Sequence, residues 1–202
     1  WMAAFWMLWG AGFAIYYVFF NSSGEAERPL TPLATQLQHK QLTSQPGVEQ
    51  IPSLSPDGEW IVYSGQGPEY QDIFMQSVGG QNPFNITEDA GADDLQPAFT
   101  PDGEKIAFRS NREGGGLFVM GRTGEAVRRV TRDGFNPSWS PAGTQLVYST
   151  ESEGLNPLIW EGRSSIWVAE VATGEVRELV EEDGVVPKWS PSGDRIAFVS
   201  RR

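Results

Sequence analysis

The sequence predicts an all-β fold made of repeated four-stranded units and preceded by one transmembrane α-helix. Three features support this prediction. One short segment recurs four times at similar spacing, the composition is rich in turn-forming and aromatic residues, and the first twenty residues carry no charge.

The composition suits many short strands joined by tight turns. The chain contains 23 Gly, 14 Pro and 12% aromatic residues. Gly and Pro favour turns, whereas aromatic side chains favour a pleated, half-buried surface. With 202 residues, one main folded domain is expected.

Several kinds of site are excluded by the residues themselves. The chain has no Cys, and His39 is its single His, so disulfides, thiolate metal sites and multi-His zinc sites are ruled out. The net charge of -11 argues against nucleic-acid binding, which depends on Lys and Arg neutralising phosphates. No nucleophile elbow, phosphate loop or zinc-protease motif occurs. The segment is therefore predicted to be non-catalytic and to need no cofactor.

The first element is a predicted membrane anchor at residues 1–20, from Trp1 to Phe20. Twenty helical residues rise about 30 Å, the hydrocarbon thickness of a bilayer. A cleaved signal peptide and a buried soluble helix are the alternatives. No small-x-small cleavage site follows Phe20, which disfavours the first, and no polar stripe is present, which disfavours the second.

A linker is predicted at residues 21–37, because Gly24, Pro29 and Pro32 interrupt a stretch without apolar periodicity. Glu25 and Glu27 outnumber Arg28 on this flank, so the positive-inside rule places the N-terminus in the cytoplasm and the rest outside. Because the chain begins within a hydrophobic run, we expect it to be part of a longer protein.

The repeated segment predicts the architecture of residues 38–202. Its copies start at Pro52, Pro97, Pro137 and Pro187, which lie 45, 40 and 50 residues apart. Each copy reads as a strand, a Ser/Thr-Pro-x-Gly turn, and a second strand that alternates as a half-buried strand would. Third and fourth strands follow, as in GLFVMGR and AVRRVT. Four short strands per period of about 40 to 50 residues are typical of a β-propeller blade.

The same residues carry a family resemblance. The pattern PxWSPxGxxIAFxS, followed by IxVM and xRRVT, resembles the TolB-type (tricorn-type) propeller repeat. That repeat also occurs in tricorn-like proteases, prolyl-oligopeptidase-type enzymes and bacterial membrane sensors. The resemblance implies an incomplete β-propeller of about three and a half blades, with QHKQLT at residues 38–43 as a lone last strand.

Two of the four turns depart from the family pattern, because Ala142 and Ser192 stand where the family usually has Asp. Asp57 and Asp102 occupy that position in the first two repeats. They are predicted to form turns rather than to bind calcium, since no D-x-D-x-D loop accompanies them.

Charge is concentrated in the connections after the second and fourth strands, which share one face of a propeller. These connections account for the whole net charge of -11. An acidic loop face suits a basic protein partner or a small cationic ligand, although acidic loops also serve solubility. The candidate binding residues follow the fourth strands: Glu88, Asp89, Asp93, Asp94, Asp133, Glu181, Glu182 and Asp183.

Three functions remain open from the sequence. The anchor, the linker and phrases such as IAFRSNREGGGLFVMGRTGE resemble the sensor propellers of bacterial transmembrane serine/threonine protein kinases and winged-helix regulators. That resemblance implies a ligand- or protein-binding sensor outside the bacterial inner membrane, with its effector upstream of Trp1. The alternatives are the gating propeller of a prolyl-oligopeptidase-like peptidase and a TolB-like periplasmic scaffold.

Overall fold

The computed structural model describes residues 41–43, 47–151 and 163–200. All described strands lie within one compact unit that spans Leu42–Arg202. The predicted anchor at residues 1–20 and the predicted linker at residues 21–37 lie outside the described residues. Of the helices in the described part, none is long and apolar enough to cross a bilayer.

In the described residues, fourteen strands form four antiparallel sheets, each built from consecutive strands. We call these sheets blades 1 to 4. Blade 1 comprises β1 (Gln50–Leu54), β2 (Trp60–Gln66), β3 (Gln71–Ser77) and β4 (Phe84–Asn85). Blade 2 comprises β5 (Asp94–Phe99), β6 (Lys105–Ser110), β7 (Gly116–Gly121) and β8 (Arg128–Arg129). Blade 3 comprises β9 (Phe135–Trp139), β10 (Gln145–Ser149), β11 (Ile166–Glu170) and β12 (Val176–Val180), and blade 4 comprises β13 (Val185–Trp189) and β14 (Ile196–Val199).

This arrangement confirms the predicted all-β fold of four-stranded antiparallel blades, with three full blades and half of a fourth among the described residues. In the described part of the chain, two short 3₁₀ helices, Glu88–Ala90 and Arg112–Gly114, lie in the connections. The predicted lone strand at 38–43 falls mostly outside the described residues, and residues 41–43 are not in a strand.

Apolar side chains pack between neighbouring blades. Val62 and Ile73 of blade 1 meet Ile106, Phe108 and Phe118 of blade 2. Equivalent clusters lie between blades 2 and 3 and between blades 3 and 4. The second strands of blades 1 to 3 are therefore buried on both faces, so for these strands the prediction that they are half-buried is wrong, whereas β14 of blade 4 is largely exposed. In β6, Ile106, Ala107 and Phe108 are all inaccessible to solvent because a blade packs against each side.

The Ser/Thr-Pro-x-Gly turns between the first and second strands have the same hydrogen bonds in every blade. The hydroxyl of Ser55 accepts from Trp60 N–H at 2.9 Å, and that of Thr100 accepts from Lys105 N–H at 3.0 Å. Ser140 and Ser190 accept equivalent bonds at 3.1 Å. The Gly of each turn has a φ between 68° and 76°, as the turn chemistry of the sequence predicts.

Each first strand contains a β-bulge, which the sequence did not reveal. The residue before the repeat proline has a positive φ in all four blades: Ile51 (52°), Gln96 (56°), Asn136 (54°) and Val186 (52°). The pairing register shifts at the same places. A bulge leaves one N–H outside its own ladder. Gln96 N–H instead donates to Ser64 Oγ of blade 1 at 3.0 Å, so the bulge links neighbouring blades.

Candidate functional site

The connections after the second strands lie beside those after the fourth strands, as predicted for one loop face. Arg112, which follows β6, pairs with Asp94, the first residue of β5. Arg163, which precedes β11, places Nη1 2.8 Å from both carboxylate oxygens of Glu182, which follows β12. We call this side of the molecule the loop face.

Asp94 is a structural residue rather than part of an exposed loop. It belongs to β5, and its side chain is inaccessible to solvent. Burial raises the pKa of its carboxyl group, whereas Arg112 and the Ser110 hydroxyl oppose that shift. The Arg112 guanidinium also lies over the rings of Phe108 and Phe118, at 5.2 and 5.5 Å from their centroids. A partner therefore cannot reach the Asp94 carboxylate directly.

Asp93 also serves the fold. Its carboxylate accepts from Gln71 N–H at 3.0 Å and from Asn111 Nδ2 at 3.3 Å, so it joins blade 1 to the end of β6. Asp72, another acidic residue of blade 1, lies within β3 and is 2% exposed. It accepts from Asn85 Nδ2 at 2.8 Å, and burial raises its pKa.

The remaining candidates lie at the surface. Glu88, Asp89, Asp133 and Glu181 are exposed and take part in none of the ion pairs of the described residues. Glu182 is paired with Arg163, and Asp183 accepts from Ser200 Oγ at 2.7 Å. The structure therefore separates four exposed acidic residues from four that are committed to intramolecular bonds.

Glu88 and Asp89 line a groove along the outer seam between blades 1 and 2. Its volume is about 370 Å³. The groove also contacts Ile86, Val127 and Arg112. Val127 is 38% exposed, so carboxylates and an apolar surface are available together. We call this feature the seam groove. The sequence pattern indicates its acidic residues but not the groove, because the groove depends on how two blades meet.

No cluster of three or more His, Asp or Glu in the described residues could hold a metal ion. The turn residues Asp57 and Asp102 accept local hydrogen bonds, from Glu59 N–H at 2.9 Å and Glu104 N–H at 3.0 Å. This arrangement agrees with their predicted role in the turns.

The fold and the surface define a repeat protein of the β-propeller class. Residues 10–161 match the family model of the TolB beta propeller domain, and the chain belongs to that family. The match covers blades 1 and 2 and much of blade 3, and the structure extends the same architecture to Val199.

Relatives include proteins of different kinds. The chain is 30% identical over 118 residues to the Tol-Pal system protein TolB of Desulfosudis oleivorans. The aligned residues cover 57% of this chain and 25% of that protein. It is 29% identical over 109 residues to the uncharacterized peptidase YuxL of Bacillus subtilis, covering 48% of this chain and 16% of that protein. The chain thus spans a quarter or less of these relatives.

Among solved structures, TolB from Acinetobacter baumannii superimposes with a TM-score of 0.66 at 23% identity, covering 82% of this chain and 41% of that one. This likeness shows the propeller fold.

Proposed function

We propose that this propeller is a non-catalytic binding module that recognises a basic protein partner or a small cationic ligand through its loop face. The observation that carries the proposal is the seam groove, which presents Glu88 and Asp89 beside the exposed Val127. A Lys or Arg side chain could place its charge on the carboxylates and its aliphatic stem on the apolar wall.

The surrounding charges favour the same kind of ligand. Asp133 and Glu181 extend the exposed acidic surface to the loops of blades 2 and 3. Arg112 also lines the groove, but Asp94 neutralises it. Carboxylates held on a rigid scaffold attract cations over about 10 Å at 0.1 M salt, which raises association rates.

A charge-neutralised variant tests this proposal. We expect Glu88→Gln combined with Asp89→Asn to lower the association rate of a capped hexalysine peptide by at least about threefold at low ionic strength, because steering depends on the summed field. The variant should also flatten the dependence of that rate on salt. Stopped-flow fluorescence with a labelled peptide measures both quantities.

The matched control is Glu59→Gln combined with Glu104→Gln. These two residues are also exposed but lie at the turns on the opposite face. If both variants bind like the unmodified protein, the acidic loops serve solubility and the proposal is wrong.

For the whole protein, we propose a membrane-anchored sensor with its propeller outside the inner membrane and an upstream effector such as a serine/threonine kinase. This proposal is supported by the uncharged run of residues 1–20 and by the charges that flank it. The gating propeller of a peptidase is the second candidate, favoured by the similarity to YuxL. A hydrolase domain in the complete reading frame would favour the peptidase over the sensor.

A further inference from the structure

A second cavity lies at the opposite end of the first strands. The four first strands pack side by side in chain order. Their ends, together with the adjoining turns, enclose a cavity of about 250 Å³ that opens to solvent. We call it the axial cavity. Its lining includes Ser53 and Leu54 of β1, Phe99 of β5, Ser138 and Trp139 of β9, and Lys188 of β13.

Lys188 departs from the repeat at this position. The residue that follows the repeat proline is Ser53, Ala98 and Ser138 in blades 1 to 3, but Lys188 in blade 4. A long cation therefore projects where the other blades have a small side chain. Lys188 takes part in none of the ion pairs formed by residues 47–151 and 163–200.

The surroundings of Lys188 combine apolar side chains with hydroxyl groups. Its side chain can be reached from solvent, yet enough protein surrounds the amine that burial lowers its pKa below the ordinary value, with no carboxylate opposing that shift. Leu54, which is 55% exposed, provides most of the apolar surface of the facing wall, while Phe99 and Trp139 contribute only edges that are 8% and 7% exposed. An ammonium group in such surroundings gains more from an anionic partner than one in bulk water.

Two hydroxyl groups add hydrogen-bond donors. Ser53 Oγ accepts from Phe99 N–H, and Ser138 Oγ accepts from Trp189 N–H, both at 3.3 Å. Because each hydroxyl uses a lone pair in these bonds, its own hydrogen remains available to donate. The axial cavity thus combines one cation, hydroxyl donors and apolar walls.

We propose that the axial cavity is a binding site for a small carboxylic acid with an apolar body, whose carboxylate pairs with Lys188 while the body packs against Leu54 and the exposed edge of Trp139. The volume suits one small molecule. This site lies away from the loop face, so the test of this site and the test of the proposed function can succeed or fail separately.

The lining favours a small acid over a peptide strand. Pro56, Pro101 and Pro137 contribute no N–H to it. The N–H groups of Ser55 and Thr100 in the adjoining turns are already bonded to carbonyls at 2.9 Å. An extended peptide would find few backbone partners here, whereas a small acid needs none.

Calorimetry of the full chain with phenylacetate tests the proposal. We expect phenylacetate to bind, and its uncharged isostere phenylacetamide to bind roughly tenfold or more weakly, the effect of losing a charge-assisted hydrogen bond. Acetate, which has no apolar body, should also bind more weakly. A chemical-shift change at the Lys188 amine on titration with phenylacetate would locate the site.

Two substitutions remove the cation. Lys188→Met keeps the aliphatic stem, and Lys188→Ser restores the residue found in blades 1 and 3, so at least one should fold. Both should lose roughly tenfold or more in phenylacetate affinity. The control Lys105→Met makes the same charge change at an exposed position outside the cavity and should leave the affinity unchanged.

Several results would overturn the proposal. These are no binding of phenylacetate, equal affinity for phenylacetamide, or an affinity that survives both Lys188 substitutions. A capped leucyl-glutamate dipeptide that binds more tightly than phenylacetate would show that a peptide, not a small acid, is the ligand.

Discussion

Individual polar side chains in this propeller often hold neighbouring blades together. Gln96 Oε1 accepts from Asn136 N–H at 2.7 Å, while Gln96 Nε2 donates to Asn136 Oδ1 at 3.0 Å. Each of these residues has a positive φ at its bulge. The amide pair thereby satisfies a backbone donor that the bulge has removed from its own sheet.

Trp139 and Trp189 occupy equivalent positions but differ in their hydrogen bonds. Trp139 Nε1 donates to Ala98 O of the preceding blade at 3.0 Å. Trp189 Nε1 is buried and has no partner among the described residues. A buried donor without a partner costs free energy, whereas a paired donor stabilises.

We therefore expect Trp139→Phe to lower the free energy of unfolding by roughly 1–3 kcal/mol more than Trp189→Phe does. Both changes remove the same volume, but the first breaks the bond from the indole N–H to Ala98 O and the second removes an unsatisfied donor. Urea unfolding of both variants measures the difference. An equal loss, or a larger loss for Trp189→Phe, would contradict this view of the two indoles.

Residue identity alone did not separate structural from exposed acidic residues. Asp93 and Asp94 follow one another in the chain and belong to the same predicted loop, yet Asp94 is buried. Its burial depends on Arg112, which is distant in sequence and comes close only when β5 pairs with β6. The contact that buries Asp94 is set by the pairing register of β5 and β6, which the sequence pattern predicts only approximately.

Among the secondary-structure elements, the turns and strands agree closely with the prediction from the repeated sequence. Pro and Gly at fixed offsets specified four turns of similar backbone conformation, and the alternation of Ile106 and Phe108 specified the second strand of blade 2. The bulges were missed because the residues that adopt a positive φ differ in every blade. Ile51 and Val186 are β-branched, which is an unusual choice for that conformation.

The turn between β9 and β10 lacks the carboxylate found elsewhere. In blades 1 and 2, the hydroxyls of Ser55 and Thr100 donate to Asp57 and Asp102 and hold the pKa of each carboxyl below its ordinary value. In blade 4, Ser192 occupies the Asp position, and its hydroxyl and that of Ser190 donate to Asp194 and lower the pKa of that carboxyl. Blade 3 has Ala142 in that place.

We expect Ala142→Asp to raise the melting temperature at pH 7 by up to about 3 °C, the size of a weak exposed interaction in a chain of this length. A carboxyl group whose pKa is lower in the folded than in the unfolded protein stabilises the fold at pH values above its unfolded pKa. That stabilisation is lost as the pH falls through the folded pKa. The gain should therefore disappear below about pH 3.

Ala142→Asn is the control for this effect, because its amide accepts the same hydrogen bonds without titrating. Differential scanning fluorimetry between pH 2 and pH 7 compares the two variants. If the stabilisation by the introduced carboxylate persists unchanged at pH 2, or is absent at pH 7, the turn carboxylate does not act as described.

At the scale of the whole molecule, the propeller presents two chemically different ends. The loop face carries exposed Glu88, Asp89, Asp133 and Glu181, whereas the axial cavity near the turns carries Lys188. The sequence predicted the acidic end because loop charges can be counted along the chain. The cavity required the structure, since its lining comes from four blades.

If the acidic loop face is the binding surface, a bound cationic peptide must lie on it. Residue-resolved hydroxyl-radical footprinting of the protein with and without saturating hexalysine peptide gives this location. We expect protection of residues 88–91, 131–134 and 181–183, with unchanged reactivity at residues 55–59 and 100–104. Protection confined to those turns, or equal reactivity everywhere at saturation, would contradict it.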